Sequence, residues 1–279
     1  MRFPFALARG NDGAQWFTEA NTSAGKIGRV TSTGTVTEYA LPDPKSEPSQ
    51  IVAASDGALW FTELVGNRIG RITTAGTIRE FPLPTANGKP DGIAAGLDGS
   101  IWFTLTGANA VGRLTADGNV VEFPLGNAFE GPRAIAEGSD GAMWFTQPWQ
   151  NEIGRITAAG TVTEFALPSR SFPWRLVDGP DGAMWFTYRD IAKVGRLSRD
   201  GNVTEYATSG MPYGITVGSD EALWFTEEND RLGRLTTAGS LSEYRIPSNR
   251  SAPAGIASGA DGEMWFVEFY GDRVARFTF

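Results

Sequence analysis

Hydrophobic positions along this chain fall in short runs, each ended by glycine, proline, aspartate or asparagine. No segment keeps the spacing of an amphipathic helix over three turns, whereas a period of two, the mark of a half-buried strand, recurs throughout. The stretch from residue 49 to residue 84 is representative. Residues 49–53 form a short apolar strand (A), and Asp56-Gly57 is a two-residue hairpin signal. Residues 58–63, rich in aromatic and β-branched side chains, form strand B, and residues 67–73 form strand C. The Thr74-Ala75-Gly76 turn leads into strand D, residues 77–84, whose prolines suit an outer edge.

This pattern repeats seven times. Its marker is Trp16-Phe17-Thr18, Trp60-Phe61-Thr62, Trp102-Phe103-Thr104, Trp144-Phe145-Thr146, Trp185-Phe186-Thr187, Trp224-Phe225-Thr226 and Trp265-Phe266-Val267, with tryptophans 44, 42, 42, 41, 39 and 41 residues apart. Roughly 40 residues is the length of a four-stranded propeller blade. The expectation is therefore all-β: a seven-bladed β-propeller of four-stranded antiparallel blades, occupying residues 1–279 as one domain. Closure is less regular. Strand D occurs six times, and the chain stops after strand C of the seventh copy, with only Met1 to Phe3 before the first strand A. That implies a last blade of three strands, or an N-terminal strand that has been removed.

Composition narrows the chemistry. A net charge of -8 argues against nucleic acid, which needs a basic surface, and no apolar run of 18 residues suggests a membrane span. The absence of cysteine excludes disulfides and thiol catalysis. The absence of histidine removes the usual general base near neutral pH and the commonest metal ligand. Compartment is not readable: a soluble protein, cytoplasmic or secreted after loss of a signal segment, fits equally, and a monomer is expected.

The repeat also separates two faces. The A–B hairpins and C–D turns are monotonous, with Asp-Gly at six of seven hairpins and Asp220-Glu221 at the other. The opposite face varies. The residue after the strand-A proline is Phe5, Ser49, Asp91, Arg133, Trp174, Tyr213 or Ala254, a set expected to ring the mouth of the central channel. Trp149 and Trp174 are the two tryptophans outside the repeat, and Tyr188, Phe172, Arg175 and Arg189 map near them. An aromatic surface with a few polar groups is the default ligand site; the candidates are Phe5, Ser49, Asp91, Arg133, Trp149, Trp174, Tyr188 and Tyr213. Structural roles are expected for the strand-C arginines, as inter-blade polar contacts, and for the glycine before six of them, as room for an aromatic ring.

The order Asp-Gly-x-x-Trp-Phe-Thr-Glu, Ile-Gly-Arg-Ile-Thr and Glu-Phe-x-Leu-Pro, seen at Asp56 to Glu63, Ile69 to Thr73 and Glu80 to Pro84, resembles the streptogramin B lyase (virginiamycin B lyase) family over essentially the whole chain. The resemblance implies a monomeric seven-bladed propeller that opens a cyclic depsipeptide by elimination at an ester bond, with magnesium. It also implies histidines after the strand-A proline of two successive blades, and a glutamate pair on the metal. In straight order those histidine positions are Tyr213 and Ala254, the glutamate before the proline is Ala252, and only Glu268 remains. A rotated register keeps Glu47 and Glu63 as the metal pair, with Ser49 in place of the base; two carboxylates and water suit magnesium.

Three functions compete. The leading expectation is a lyase-like propeller that binds a small or peptide-like ligand and has lost the family chemistry. Another is an active lyase that uses a carboxylate or tyrosinate base, with Glu63, Asp91 and Tyr213 as candidates. The last is a structural or interaction propeller with no small ligand.

Overall fold

In the computed structural model, which describes residues 4–20, 24–126, 131–248 and 250–279, the chain is an all-β seven-bladed propeller. Six sheets have four antiparallel strands in sequence order, and the last has three. Blade two is built from Pro48–Ala53, Leu59–Glu63, Arg68–Ile72 and Ile78–Pro82, and the seventh from Pro253–Ser258, Met264–Glu268 and Arg273–Phe277. Met1 to Phe3 lie outside the described residues. The chain divides into two compact units, 1–133 and 134–279, which carry three and four blades. No described helix is long and apolar enough to cross a membrane.

Each strand B alternates its side chains between two packed faces. Phe61 lies over Gly70, where an added Cβ would come within 2.1 Å of the ring, and the same approach recurs at Gly28, Gly112, Gly154, Gly195 and Gly233. The expected space for an aromatic is therefore present, filled by the blade's own phenylalanine. On the opposite face the strand-B tryptophan stacks on the strand-D aromatic: Trp16 on Tyr39, Trp144 on Phe165 and Trp185 on Tyr206, at 5.3–5.5 Å. Buried clusters then join successive blades within each unit, as Trp16 and Ile27 do with Ile51 and Phe61.

The strand-C arginines correct the sequence reading. Their partners are the hairpin aspartates of the same blade, not those of a neighbour. Arg29–Asp12, Arg71–Asp56, Arg113–Asp98, Arg155–Asp140, Arg196–Asp181 and Arg234–Asp220 are ion pairs at 2.5–2.7 Å. The same carboxylate accepts the indole N–H of Trp16, Trp144, Trp185 or Trp224 in its blade. Burial works to raise the Asp12 carboxyl, but its hydrogen bonds from Arg29 and Trp16 outweigh that and hold it below the ordinary value. Asp-Gly therefore does more than turn the chain: the aspartate ties strands B and C to the hairpin. Glycine supplies the left-handed φ, +78° at Gly57 and +71° at Gly182.

The blades are joined through threonine. Strand A bulges just after its proline, as shown by the register shift between Pro48 and Ile51. The bulge frees one amide and one carbonyl. The strand-B threonine hydroxyl accepts that amide of its own blade at 2.8–3.2 Å, for Ala6, Gln50, Gly92, Ala134, Arg175 and Gly214. The same hydroxyl donates to the freed carbonyl of the next blade at 2.6–3.2 Å, on Ser49, Asp91, Arg133, Trp174, Tyr213 and Ala254. Val267 stands at this place in the seventh copy and has no hydroxyl to offer.

Two expectations test this account. Thr226→Val keeps the shape but orphans the Gly214 amide and the Ala254 carbonyl, so it should cost about 1–3 kcal/mol, read as a lower urea midpoint with an unchanged slope. An unaltered midpoint would show that the bridge holds nothing. Glu221, where six hairpins have glycine, sits at φ +56°. Glu221→Gly should therefore gain about 1 kcal/mol, since a left-handed non-glycine residue is strained; a loss of stability would mean that the side chain makes a compensating contact.

Candidate functional site

The residues after the strand-A proline carry the carbonyls that the threonines grip, so their side chains leave from anchored backbone. In the first unit three of them form one hydrogen-bonded line. The Ser49 hydroxyl donates to Asp91 Oδ1 at 2.7 Å, and Arg133 Nη1 meets Asp91 Oδ2 at 3.1 Å. Asp91 is 4% exposed and Ser49 is buried, while Arg133 keeps part of its guanidinium at the surface. Both carboxylate oxygens of Asp91 thus already accept a donor, which leaves it poorly placed as a proton acceptor. Phe5 is half-buried against the cluster that holds Ala6 and Ile51.

In the second unit Trp174 and Tyr213 meet in the same way, ring centroids 6.1 Å apart and tilted by 56°. Two guanidiniums lie against this pair. Arg189 is 4.5 Å from the Trp174 ring and 5.8 Å from Tyr213, and Arg175 is 5.7 and 5.9 Å from the same rings. Trp149 is 52% exposed and abuts Phe172 edge-on at 4.8 Å. The Phe172 carbonyl in turn accepts the Arg189 amide at 2.9 Å, which ties the loop before Pro173–Asp178 to the loop after Met184–Tyr188.

Tyr188 is not part of this surface. Its side chain is fully buried, its ring packs edge-on against Phe186, and its hydroxyl donates to Glu205 Oε1 at 2.8 Å. Strand alternation explains the correction: Tyr188 follows Thr187 and therefore shares the face of Phe186, inside the blade. Arg175 and Arg189 were the converse. The sequence placed them nearby, but only the structure sets both against one aromatic pair. The available signal was the repeat itself, since Arg175 stands where other blades have Ala6, Gly92, Ala134 and Gly214.

Glu63 occupies the same in-blade position as Tyr188. It is completely buried, opposite Pro48 and Arg68 on the adjoining strands, and neither carboxylate oxygen has a hydrogen-bond partner of good geometry. Burial, reinforced by the nearby Glu80 carboxylate, pushes its carboxyl up to about 7. Glu227 repeats this in the sixth blade, where burial again raises the carboxyl to about 7. Glu47 is half-buried on a left-handed backbone at φ +53°, and its carbonyl accepts the Leu64 amide. Among the described residues no group of three acidic, histidine or cysteine side chains could hold a metal ion. No chemical step is assigned to a metal.

The two raised carboxyls make a pH test. Their folded-state values lie above the ordinary 4.5. The native state thus holds more protons than the unfolded chain between about 4.5 and 7, and stability must fall as pH rises through that window. The penalty is absent below 4.5 and complete above 7, on the order of 3 kcal/mol for each buried group. The melting temperature should therefore rise when pH is lowered from 8 to 5, and Glu63→Gln with Glu227→Gln should flatten the profile. A wild-type profile that is already flat would show that both groups stay ionised.

Comparison with known proteins agrees with this architecture. The sequence profile of the Virginiamycin B lyase family matches residues 1–170 and 127–279. A curated virginiamycin B lyase from Nocardia farcinica is 46% identical over 56 residues, a stretch that spans 20% of this chain and 19% of that protein. The crystal structure of virginiamycin B lyase from Staphylococcus aureus superposes with a TM-score of 0.93 at 37% identity, covering 100% of this chain and 95% of that one. A catalytically inactive histidine-to-alanine variant of the same enzyme, with quinupristin, superposes with a TM-score of 0.93 at 38% identity, covering 99% of this chain and 94% of that one. With that profile running from end to end, the chain belongs to the Virginiamycin B lyase family.

Proposed function

We propose that this propeller binds a small or peptide-like ligand through the Trp174–Tyr213 surface and does not carry out the elimination for which the family is named. One observation carries the reading: the chain contains no histidine, and the S. aureus relative that is catalytically inactive is a histidine-to-alanine variant, with quinupristin. Removing a proton acceptor typically costs about 10²–10⁴ in rate. Binding draws on other features, chiefly apolar and aromatic area with a few fixed polar groups. Tyr213, Phe172 and the exposed Trp149 supply that area, and Trp174, itself 8% exposed, packs against Tyr213.

An active lyase with a carboxylate base is the second reading, favoured by Glu63, whose carboxyl lies near 7. A base must reach the proton that it takes, and Glu63 is wholly enclosed within its blade.

Quinupristin with magnesium separates the two readings. Mass spectrometry should find the ring intact, and calorimetry should find the compound bound. Trp174→Ala should weaken binding roughly 30-fold, the loss of about 2 kcal/mol typical of an aromatic anchor. Ring opening at ordinary enzyme rates, abolished by Glu63→Gln, would establish the second reading instead, and a binding constant unaltered by Trp174→Ala would move the site elsewhere.

A further inference from the structure

The seventh sheet has no strand D, and its strand C shows the effect. In the other six blades the second, third and fifth residues of strand C are enclosed, as in Arg68–Ile72. Arg273–Phe277 encloses none of its residues: Val274, Ala275 and Phe277 are half-buried where Ile69, Gly70 and Ile72 are buried. Among the described residues no strand pairs with its outer edge.

The complete blades show what such an edge accepts. In blade two the Leu83 amide donates to the Asn67 carbonyl, so strand alternation turns the amide and carbonyl of Ile69 and Arg71 toward strand D. Val274 and Arg276 take those places in the seventh blade. Along strand D an aliphatic residue, a glutamate and an aromatic recur, as Ile78, Glu80 and Phe81 or Val162, Glu164 and Phe165. The glutamate meets a cation at the start of strand C: Lys26–Glu38 and Lys193–Glu205 at 2.6 Å, Arg231–Glu243 at 3.5 Å. Arg273 is that cation in the seventh blade. It turns back to Glu268 at 3.3 Å, and its side chain is 58% exposed. Charges along an edge can guard it against pairing, but Arg231 and Arg234 hold the same places in a blade whose strand C is covered.

We infer that the outer edge of Arg273–Phe277 docks an extended segment of another polypeptide, which adds antiparallel as a fourth strand. Its chemistry is that of strand D: an aliphatic residue opposite Phe277, a glutamate opposite Ala275 within reach of Arg273, and an aromatic opposite Val274. Main-chain hydrogen bonds supply the affinity of such an added strand, and its alternate side chains supply the choice of sequence. This edge is separate from the Trp174–Tyr213 surface, so neither proposal depends on the other.

The probe is a peptide of residues 161–167, strand D of blade four, blocked at both ends. Titrated into the full chain by calorimetry it should bind at a single site, and amide hydrogen exchange should slow at residues 273–277. N-methylation of its Phe165 amide removes one main-chain donor and leaves every side chain, and it should abolish binding. Glu164→Gln and Phe165→Ala in the peptide should each weaken binding about threefold or more, the scale of one cross-strand pair. In the protein, Val274→Pro removes an amide that points away from strand B and should also abolish binding; circular dichroism confirms that this variant is folded. Absence of binding overturns the inference, as does binding that survives N-methylation or slows exchange elsewhere. Equal affinity for the parent and Glu164→Gln peptides overturns the acidic requirement. A dimer seen by light scattering and dissolved by Val274→Pro would put a second copy of this chain on the edge and overturn the separate partner.

Discussion

A strand that bulges loses a ladder hydrogen bond, and in a buried strand the loss must be made good. Strand A bulges at the same place in blade after blade, and one threonine hydroxyl makes the loss good twice. It accepts the stranded amide of its own blade and donates to the stranded carbonyl of the next. These hydroxyls are fully buried, so each closes a polar deficit where water cannot. Because the donated bond crosses to the next strand A, the same atom that repairs one blade sets the position of the following one.

Function grows out of that repair. The carbonyl gripped by each threonine belongs to the residue after the strand-A proline, a position that differs in all seven copies. Ser49, Asp91 and Arg133, or Trp174 and Tyr213, can change freely because their backbone is held by a neighbour rather than by their own side chains. Rigidity and variability therefore meet at one residue per blade, which is a sound place to build a binding surface. The two units use it differently: one saturates a buried carboxylate with a serine and an arginine, and the other stacks guanidiniums on aromatic rings.

The hairpin face is uniform for a matching reason. The aspartate that turns the chain also receives the arginine and indole of its own blade, so a change there breaks three contacts at once. The seventh blade shows that the requirement is chemical rather than literal. Glu263, two residues past Asp261, accepts the Trp265 indole N–H at 3.2 Å and the Asp261 amide at 3.0 Å.

The architecture was legible in the sequence because it is local and repeated. Period-two alternation, Asp-Gly turns and a tryptophan about every 40 residues are properties of neighbouring residues, and seven copies average out the exceptions. The missing fourth strand of the last blade was legible for the same reason, as was the space that Gly70 leaves for Phe61. Side-chain destination was not. Tyr188 and Trp174 read alike as aromatics outside the repeat's needs, yet one strand's alternation buries Tyr188 against Glu205 while the bulge of another brings Trp174 beside Tyr213. The strand-C arginines could as well have reached a neighbouring blade as their own aspartate. The convergence of Arg175 and Arg189 on one indole joins two strands and a loop. Such meetings depend on register and on the packing of blade against blade, which single-chain spacing does not encode, so only the tertiary structure decided them.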